Sequence, residues 1–200
     1  MIRVYLIRHS ITKGNLKKRY IGARTDEPLC QAGYDLLKNK QYPTVEKVIA
    51  SPMKRCLETA RVLFPENDIL VEEGLRECDF GQFENKNYQE LSGNKEYQAW
   101  IDSNGTLPFP EGESQESFQK RSKEAFERCI EQCLKEDVKD VAFVVHGGTI
   151  MSILSACANE KKDYFSWQVK NAEGFLVEVE EKEWERTRKM TVLRKINGEG

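Results

Sequence analysis

Charge of one sign, long apolar runs and histidine are all scarce in this sequence, and each scarcity removes a class of function. The 31 basic residues against 33 acidic ones leave a formal net charge of −2 over 200 residues, so no global field draws nucleic acid or an anionic membrane surface. Any anion must be recognised by local groups. The apolar stretch that opens the chain ends at Arg8, too soon for a signal-peptide core or a membrane span, which points to a cytoplasmic protein. Histidine occurs twice, and Cys-x-x-Cys does not occur. Metal sites built on histidine and paired cysteines therefore have few candidate ligands. Cys129 and Cys133 stand four apart and could ligate a metal in principle, but core packing is favoured for that pair. An oxidised framework is not expected from six scattered cysteines in a chain of ordinary size, and buried, reduced thiols are. Cys78 has no neighbourhood that marks it as reactive.

What remains is the composition of one folded domain. With 39% hydrophobic residues, the chain can bury one sizeable core, whereas two domains would both be undersized. No repeat, low-complexity tract or linker divides it, so residues 1–200 are expected to form a single domain. Ile2–Ile7, Val45–Ala50 and Val141–Val145 read as buried parallel strands, rich in β-branched and apolar residues. Helical patterns fall near Gln31–Asn39, Met53–Leu63, Glu116–Lys135 and after Gly148. Phe118, Ala125, Phe126, Cys129, Ile130, Cys133 and Leu134 share one helical face. From Gly174 onward, Phe175–Glu180 and Met190–Ile196 flank a charged stretch and read as a terminal hairpin or two edge strands. Residues 85–114 have little strand character, and Asn104-Gly105, Pro108, Pro110 and Gly112 mark a loop or helical cover near the site. The expected architecture is α/β, three layers with a mostly parallel central sheet.

Each histidine ends an apolar run, in Val4-Tyr5-Leu6-Ile7-Arg8-His9 and in Val141-Ala142-Phe143-Val144-Val145-His146. Ligands of open α/β sheets bind at the carboxyl ends of the strands, where loops and helix N-termini bring unpaired backbone N–H groups together. His9 and His146 can thus share one pocket despite their separation in the chain. Arg8 precedes His9, and Val45–Ala50 leads through Ser51-Pro52 to Arg55 near the start of a helix. Two guanidinium forks suit the oxygens of a phosphate better than the point charge of lysine. An unprotonated imidazole beside a bound phosphoryl group can attack phosphorus, and the phosphohistidine can then be hydrolysed. His9 is placed for attack. The leaving oxygen needs a proton, and Glu77 is the carboxyl chosen to give it, ahead of Glu73, Asp79 and Glu84 close by.

At these residues the chain resembles the histidine phosphatase superfamily, also called phosphoglycerate mutase-like. The opening Arg-His-Gly motif is similar to Arg8-His9-Ser10, followed by Thr12, Asn15, Gly22, Asp26, Pro28, Leu29 and Gly33. Ser51-Pro52 with Arg55, Thr59 and Ala60 resembles the second signature, and Leu75-Arg76-Glu77 with Phe80-Gly81 the acidic one. Gly112-Glu113-Ser114 and His146-Gly147-Gly148-Thr149 complete the series. The resemblance implies a phosphoglycerate mutase-like fold and a metal-free phosphohistidine mechanism. It makes His9 the nucleophile and Glu77 the acid, with Arg8, Asn15, Arg55, His146 and Gly147 around the phosphoryl group.

Ser10 stands where the family has glycine, so crowding of the phosphate or a strained backbone is expected there. Gly14, Phe83 and Asn85 also depart from the pattern and are expected to reshape the pocket rim. Tyr97, Trp100 and Phe109 either cover the pocket or pack ordinarily. The length of the chain and the run Phe109–Ser114 resemble the short branch that includes α-ribazole phosphatase. A small-molecule phosphate ester is the expected partner, α-ribazole 5′-phosphate being one candidate. A phosphoglycerate mutase-type phosphotransferase and a non-catalytic phosphate-ester binding module are the alternatives, and a homodimer is left open.

Overall fold

A computed structural model of the chain describes residues 1–198; the last two positions of the expected 1–200 domain lie outside the described residues. Six strands, β1 (Ile2–Arg8), β2 (Lys47–Ala50), β3 (Ile69–Val71), β4 (Asp140–Val145), β5 (Gly174–Val179) and β6 (Thr191–Ile196), form one sheet in the order β3-β2-β4-β1-β5-β6. The pairs β3/β2, β2/β4 and β4/β1 are parallel, while β5 and β6 run antiparallel to their neighbours. The mixed α/β, mostly parallel architecture read from the sequence is the one observed.

Side chains of a strand alternate between faces, and here both faces are buried. Val4, Leu6, Val141, Phe143 and Val145 enter one core, whereas Tyr5, Ile7, Ala142 and Val144 enter another. Helices α5 (Gln115–Lys135) and α6 (Gly147–Cys157) supply Phe126, Ile130, Ile150 and Ile153 to the first core; α3 (Lys54–Leu63) supplies Cys56 and Ala60 to the second. The sheet is therefore a middle layer. Burial of a side chain such as Phe126 or Phe143 contributes about 1.5–3 kcal/mol before cavity terms, so these two faces explain why the central strands read as continuous apolar runs.

The structure refines the sequence reading in three places. Residues 85–114 contain a helix, Lys95–Asp102, begun by Asn94, whose side chain accepts from the Tyr97 N–H at 2.9 Å. Its pattern is faint because none of its residues is fully buried. The charged stretch before β6 is also helical, Glu181–Thr187, with Trp184 buried against Phe126. Consequently β5 and β6 are not joined by a simple hairpin turn, and of these two only β6 is an edge, since β5 lies between β1 and β6. A short helix, Lys13–Leu16, closes a capping box between Thr12 and Asn15. Among the described residues, no helix is long and apolar enough to cross a membrane.

Candidate active site

Strands β1 and β4 are parallel neighbours with Arg8 opposite Val145, so the residues that follow, His9 and His146, leave the sheet side by side. The His9 N–H donates to the Val145 carbonyl at 2.9 Å, and the two imidazole centroids lie 5.3 Å apart, edge to face. Beside them, Ser51 directly follows β2 with its N–H on the Val144 carbonyl, and α3 then delivers Arg55. His146 immediately precedes α6, whose first residue is Gly147. The N-termini of two helices thus face the same strand ends, as an anion site at a parallel sheet requires.

The ring of His9 is held in one tautomer. Its Nδ1 lies 2.7 Å from the Ser10 carbonyl oxygen, an acceptor only, so Nδ1 carries the hydrogen and the lone pair sits on Nε2. Burial, reinforced by the charges of Arg55 and Arg8, holds the His9 pKa well below its ordinary 6.5. His146 is shifted the same way, first by burial and then by Arg55, His9 and Arg8. Its Nε2 lies 2.7 Å from Ser51 Oγ, with the Cys56 sulfur at 3.5 Å. Burial pushes the Cys56 thiol up to about 12, so it stays neutral.

Both arginines keep one nitrogen in reserve. Arg8 Nη1 donates to the Val169 carbonyl at 2.7 Å; Arg55 donates to the carbonyls of Thr25 at 2.7 Å and Gly22 at 3.2 Å. The Nε atoms of both are buried with no hydrogen-bond partner. Buried donors are rarely left unmade, so two orphaned cationic N–H groups are chemically suited to an anionic oxygen. Asn15 Oδ1 accepts from the Thr12 N–H at 3.1 Å and from Asn171 Nδ2 at 3.3 Å, leaving the Asn15 amide nitrogen as a donor.

Glu77 is 8% exposed, and burial raises its pKa above 4.5 against the opposing pull of its hydrogen bonds. Its oxygens accept from the N–H groups of Cys78 at 3.0 Å and Gly148 at 3.2 Å. Arg121 fixes this segment from behind, donating to the carbonyls of Gly74, Arg76 and Glu77 while pairing with Glu113 at 2.8 Å.

A cavity of about 380 Å³ opens here, lined by Arg8, His9, Asn15, Glu77 and Gly147 among others. Arg55 and His146 are wholly buried and stand behind this lining rather than in it. The expected strain at Ser10 is absent: its φ is not positive, its N–H donates to Thr59 Oγ1 at 2.9 Å, and its hydroxyl donates to the Gly33 carbonyl at 2.8 Å. The side chain is directed into the fold, away from any crowding of the pocket. Cys133 is in the core and Cys129 packs against it. Tyr97 and Trp100 do join the aromatic cluster, and Trp100 and Phe109 line the cavity.

Asn171 was not legible in the sequence. Its Nδ2 lies 2.9 Å from the His9 carbonyl and 3.2 Å from that of Ser10, as well as near Asn15, yet a lone asparagine in a connection carries no pattern. Arg121 was hidden likewise among the charges of α5.

A family profile described as histidine phosphatase superfamily (branch 1) matches residues 4–190. The chain belongs to that superfamily. A Hydrogenobacter thermophilus protein provisionally named phosphoserine phosphatase 2 is 30% identical over 166 residues, 77% of each chain. Among solved structures, the α-ribazole phosphatase from Shigella flexneri superposes with a TM-score of 0.81 at 20% identity, covering 100% of this chain and 98% of that one. Phosphoglycerate mutase from Thermus thermophilus gives 0.69 at 23%, covering 98% of each. These two likenesses speak to the fold, which is phosphoglycerate mutase-like. The superfamily comprises phosphatases and mutases, so enzymatic phosphoryl chemistry frames the site.

Proposed function

We propose that the protein is a phosphomonoester hydrolase working through a phosphohistidine on His9. The observation that carries this reading is the tautomer of His9: with Nδ1–H held by the Ser10 carbonyl, the Nε2 lone pair stands beside two arginines with unpartnered N–H groups. Nε2 attacks phosphorus in line, the P–O ester bond breaks, and the electron pair leaves with the alcohol oxygen. Glu77, in its carboxylic form, gives that oxygen its proton. The resulting Glu77 carboxylate then takes a proton from water, the hydroxide attacks the phosphohistidine, and the P–N bond breaks to release inorganic phosphate and restore His9. Arg8, Arg55, Asn15, His146 and the backbone N–H of Gly147 bind the equatorial oxygens, where most of the transition-state charge resides.

On this reading neither metal nor cofactor takes part, and the chain acts as one domain on a small-molecule phosphate ester in the cytoplasm. α-Ribazole 5′-phosphate is a candidate substrate, supported by the likeness to the Shigella flexneri enzyme. Brief exposure to a labelled ester should yield an acid-labile, base-stable phosphoprotein, absent in His9→Ala, with turnover indifferent to chelator. Unaltered turnover in His9→Ala would sink the assignment. Transfer of the phosphoryl group to a phosphoglycerate in preference to water would favour the mutase alternative, and ester binding with no turnover the binding module.

A further inference from the structure

Part of the cavity wall is built of rings from separate stretches of chain. Tyr20, Phe80, Trp100, Phe109 and Phe118 all line it. Phe80 and Phe109 meet at 4.9 Å, Trp100 and Phe109 at 5.2 Å, and Tyr20 and Phe80 at 5.7 Å. Tyr97 stacks on Trp100 at an interplanar angle of 13°, and its hydroxyl lies 3.0 Å from that of Tyr20. Gly105, with φ +74°, turns the chain against the indole, where a Cβ would come within 3.2 Å. The wall is fixed before any ligand arrives, which lowers the ordering cost of binding against it.

Cations are sparse in the described lining. Besides Arg8, the lining contains one, Arg19, and it is already committed: Nη1 donates to the Asn85 carbonyl and Nη2 pairs with Glu90 at 3.0 Å. A carboxylate on the leaving group would meet a largely aromatic wall with Glu77 in the same lining, losing hydration without gaining an uncommitted cationic partner. The indole N–H of Trp100, by contrast, is buried and unpartnered, a donor that an acceptor atom on a ring would satisfy.

We propose that the ester this site takes has an uncharged, planar ring in its leaving group, and that Trp100 sets the preference. A carboxylate-bearing ester such as phosphoserine or phosphoglycerate is then disfavoured, although such compounds appear in the names of relatives. This rests on the hydrolase reading, and the test separates the two. Wild-type kcat/KM is measured for benzyl phosphate, ethyl phosphate, O-phosphoserine and 3-phosphoglycerate, all esters of alcohols. Benzyl phosphate should exceed each of the other three by about tenfold or more, the size of one good ring stack. Trp100→Ala, and Trp100→Leu as a variant that preserves apolar bulk, should each cut the benzyl-to-ethyl ratio severalfold. Phosphoserine or phosphoglycerate turned over as well as benzyl phosphate overturns the proposal, and an unmoved ratio in both variants overturns the role of Trp100. If no ester is hydrolysed, the hydrolase reading falls and calorimetry decides this one. Benzylphosphonate binding about tenfold tighter than 3-phosphonopropionate upholds it; equal or reversed affinities overturn it.

Discussion

The backbone N–H of Gly148 donates to Glu77 Oε2 at 3.2 Å, and a Cβ placed on Gly148 would fall 2.4 Å from Glu77 Oε1. The first turn of α6, which begins directly after His146, therefore holds the carboxyl group by close backbone approach. One element positions an imidazole and the proposed acid together. Only glycine permits that approach, because any side chain must displace the carboxyl or the Phe118 ring, which lies 3.0 Å from the same point.

Gly148→Ala should separate proton donation from attack. A displacement of about 1 Å at a catalytic group costs on the order of 10²-fold, and it should fall on alkyl esters, whose leaving oxygen requires the Glu77 proton. An activated aryl phosphate, which leaves without one, should lose much less. Steady-state rates on ethyl and p-nitrophenyl phosphate check this; an equal loss on both would mean that the substitution disturbs His9 rather than Glu77.

The pH dependence follows from the directions of two shifts. Protonating His9 removes the attacking lone pair, and because its pKa is held well below 6.5, activity should persist on the acid side of neutrality. Ionising Glu77 removes the donor, and because burial raises its pKa above 4.5, the donor survives to higher pH than an exposed carboxyl would. The kcat/KM profile should thus peak at mildly acidic pH and decline as Glu77 ionises. Glu77→Gln should abolish that Glu77-dependent decline. Ionisation of the ester itself is common to both enzymes, so an alkaline limb identical in the two would remove Glu77 from the assignment.

Ser10→Gly should cost stability rather than unlock rate. The hydroxyl satisfies the buried Gly33 carbonyl, and its loss, with the added backbone freedom of glycine, should lower unfolding free energy by about 1–3 kcal/mol. Because Nδ1 of His9 is bonded to the carbonyl of residue 10 and not to its side chain, kcat should stay within about threefold. Denaturant unfolding and turnover on one preparation check both halves. A large gain in kcat would restore the view that serine hinders the nucleophile.

Much of this site could be read from residue order alone, for a definable reason. His9 and His146 sit at the ends of central strands buried on both faces, and such strands announce themselves as unbroken apolar runs; Arg55 and Glu77 follow at short offsets from strand ends. The cover was harder. The helix Lys95–Asp102 turns only Tyr97 and Trp100 toward an aromatic cluster shared with Phe83 and Phe109, so its own sequence carries half a pattern. Glu181–Thr187 hides for the opposite reason, since charges surround the single buried Trp184. Asn171 reaches three polar groups from a connection that no periodicity marks, and the inward turn of the Ser10 hydroxyl depends on Gly33, which lies far along the chain.

Arg55 gives the sharpest check on the anion pocket, because its terminal and inner nitrogens have different duties. The Nη groups brace the carbonyls of Gly22 and Thr25, whereas Nε is buried without a partner and is, on the proposed reading, the donor to a phosphate oxygen. Inorganic phosphate at 100 times its dissociation constant should stabilise the wild type by about 2.7 kcal/mol, raising Tm by roughly 5–10 °C in a chain of this size. Arg55→Lys retains the charge but has neither the fork nor the inner N–H. It should melt lower without phosphate, since buried carbonyls lose their donors, and should also lose most of the phosphate-induced rise. A reduced baseline with an undiminished rise would confine Arg55 to bracing the loop and leave Arg8 as the guanidinium that holds the anion.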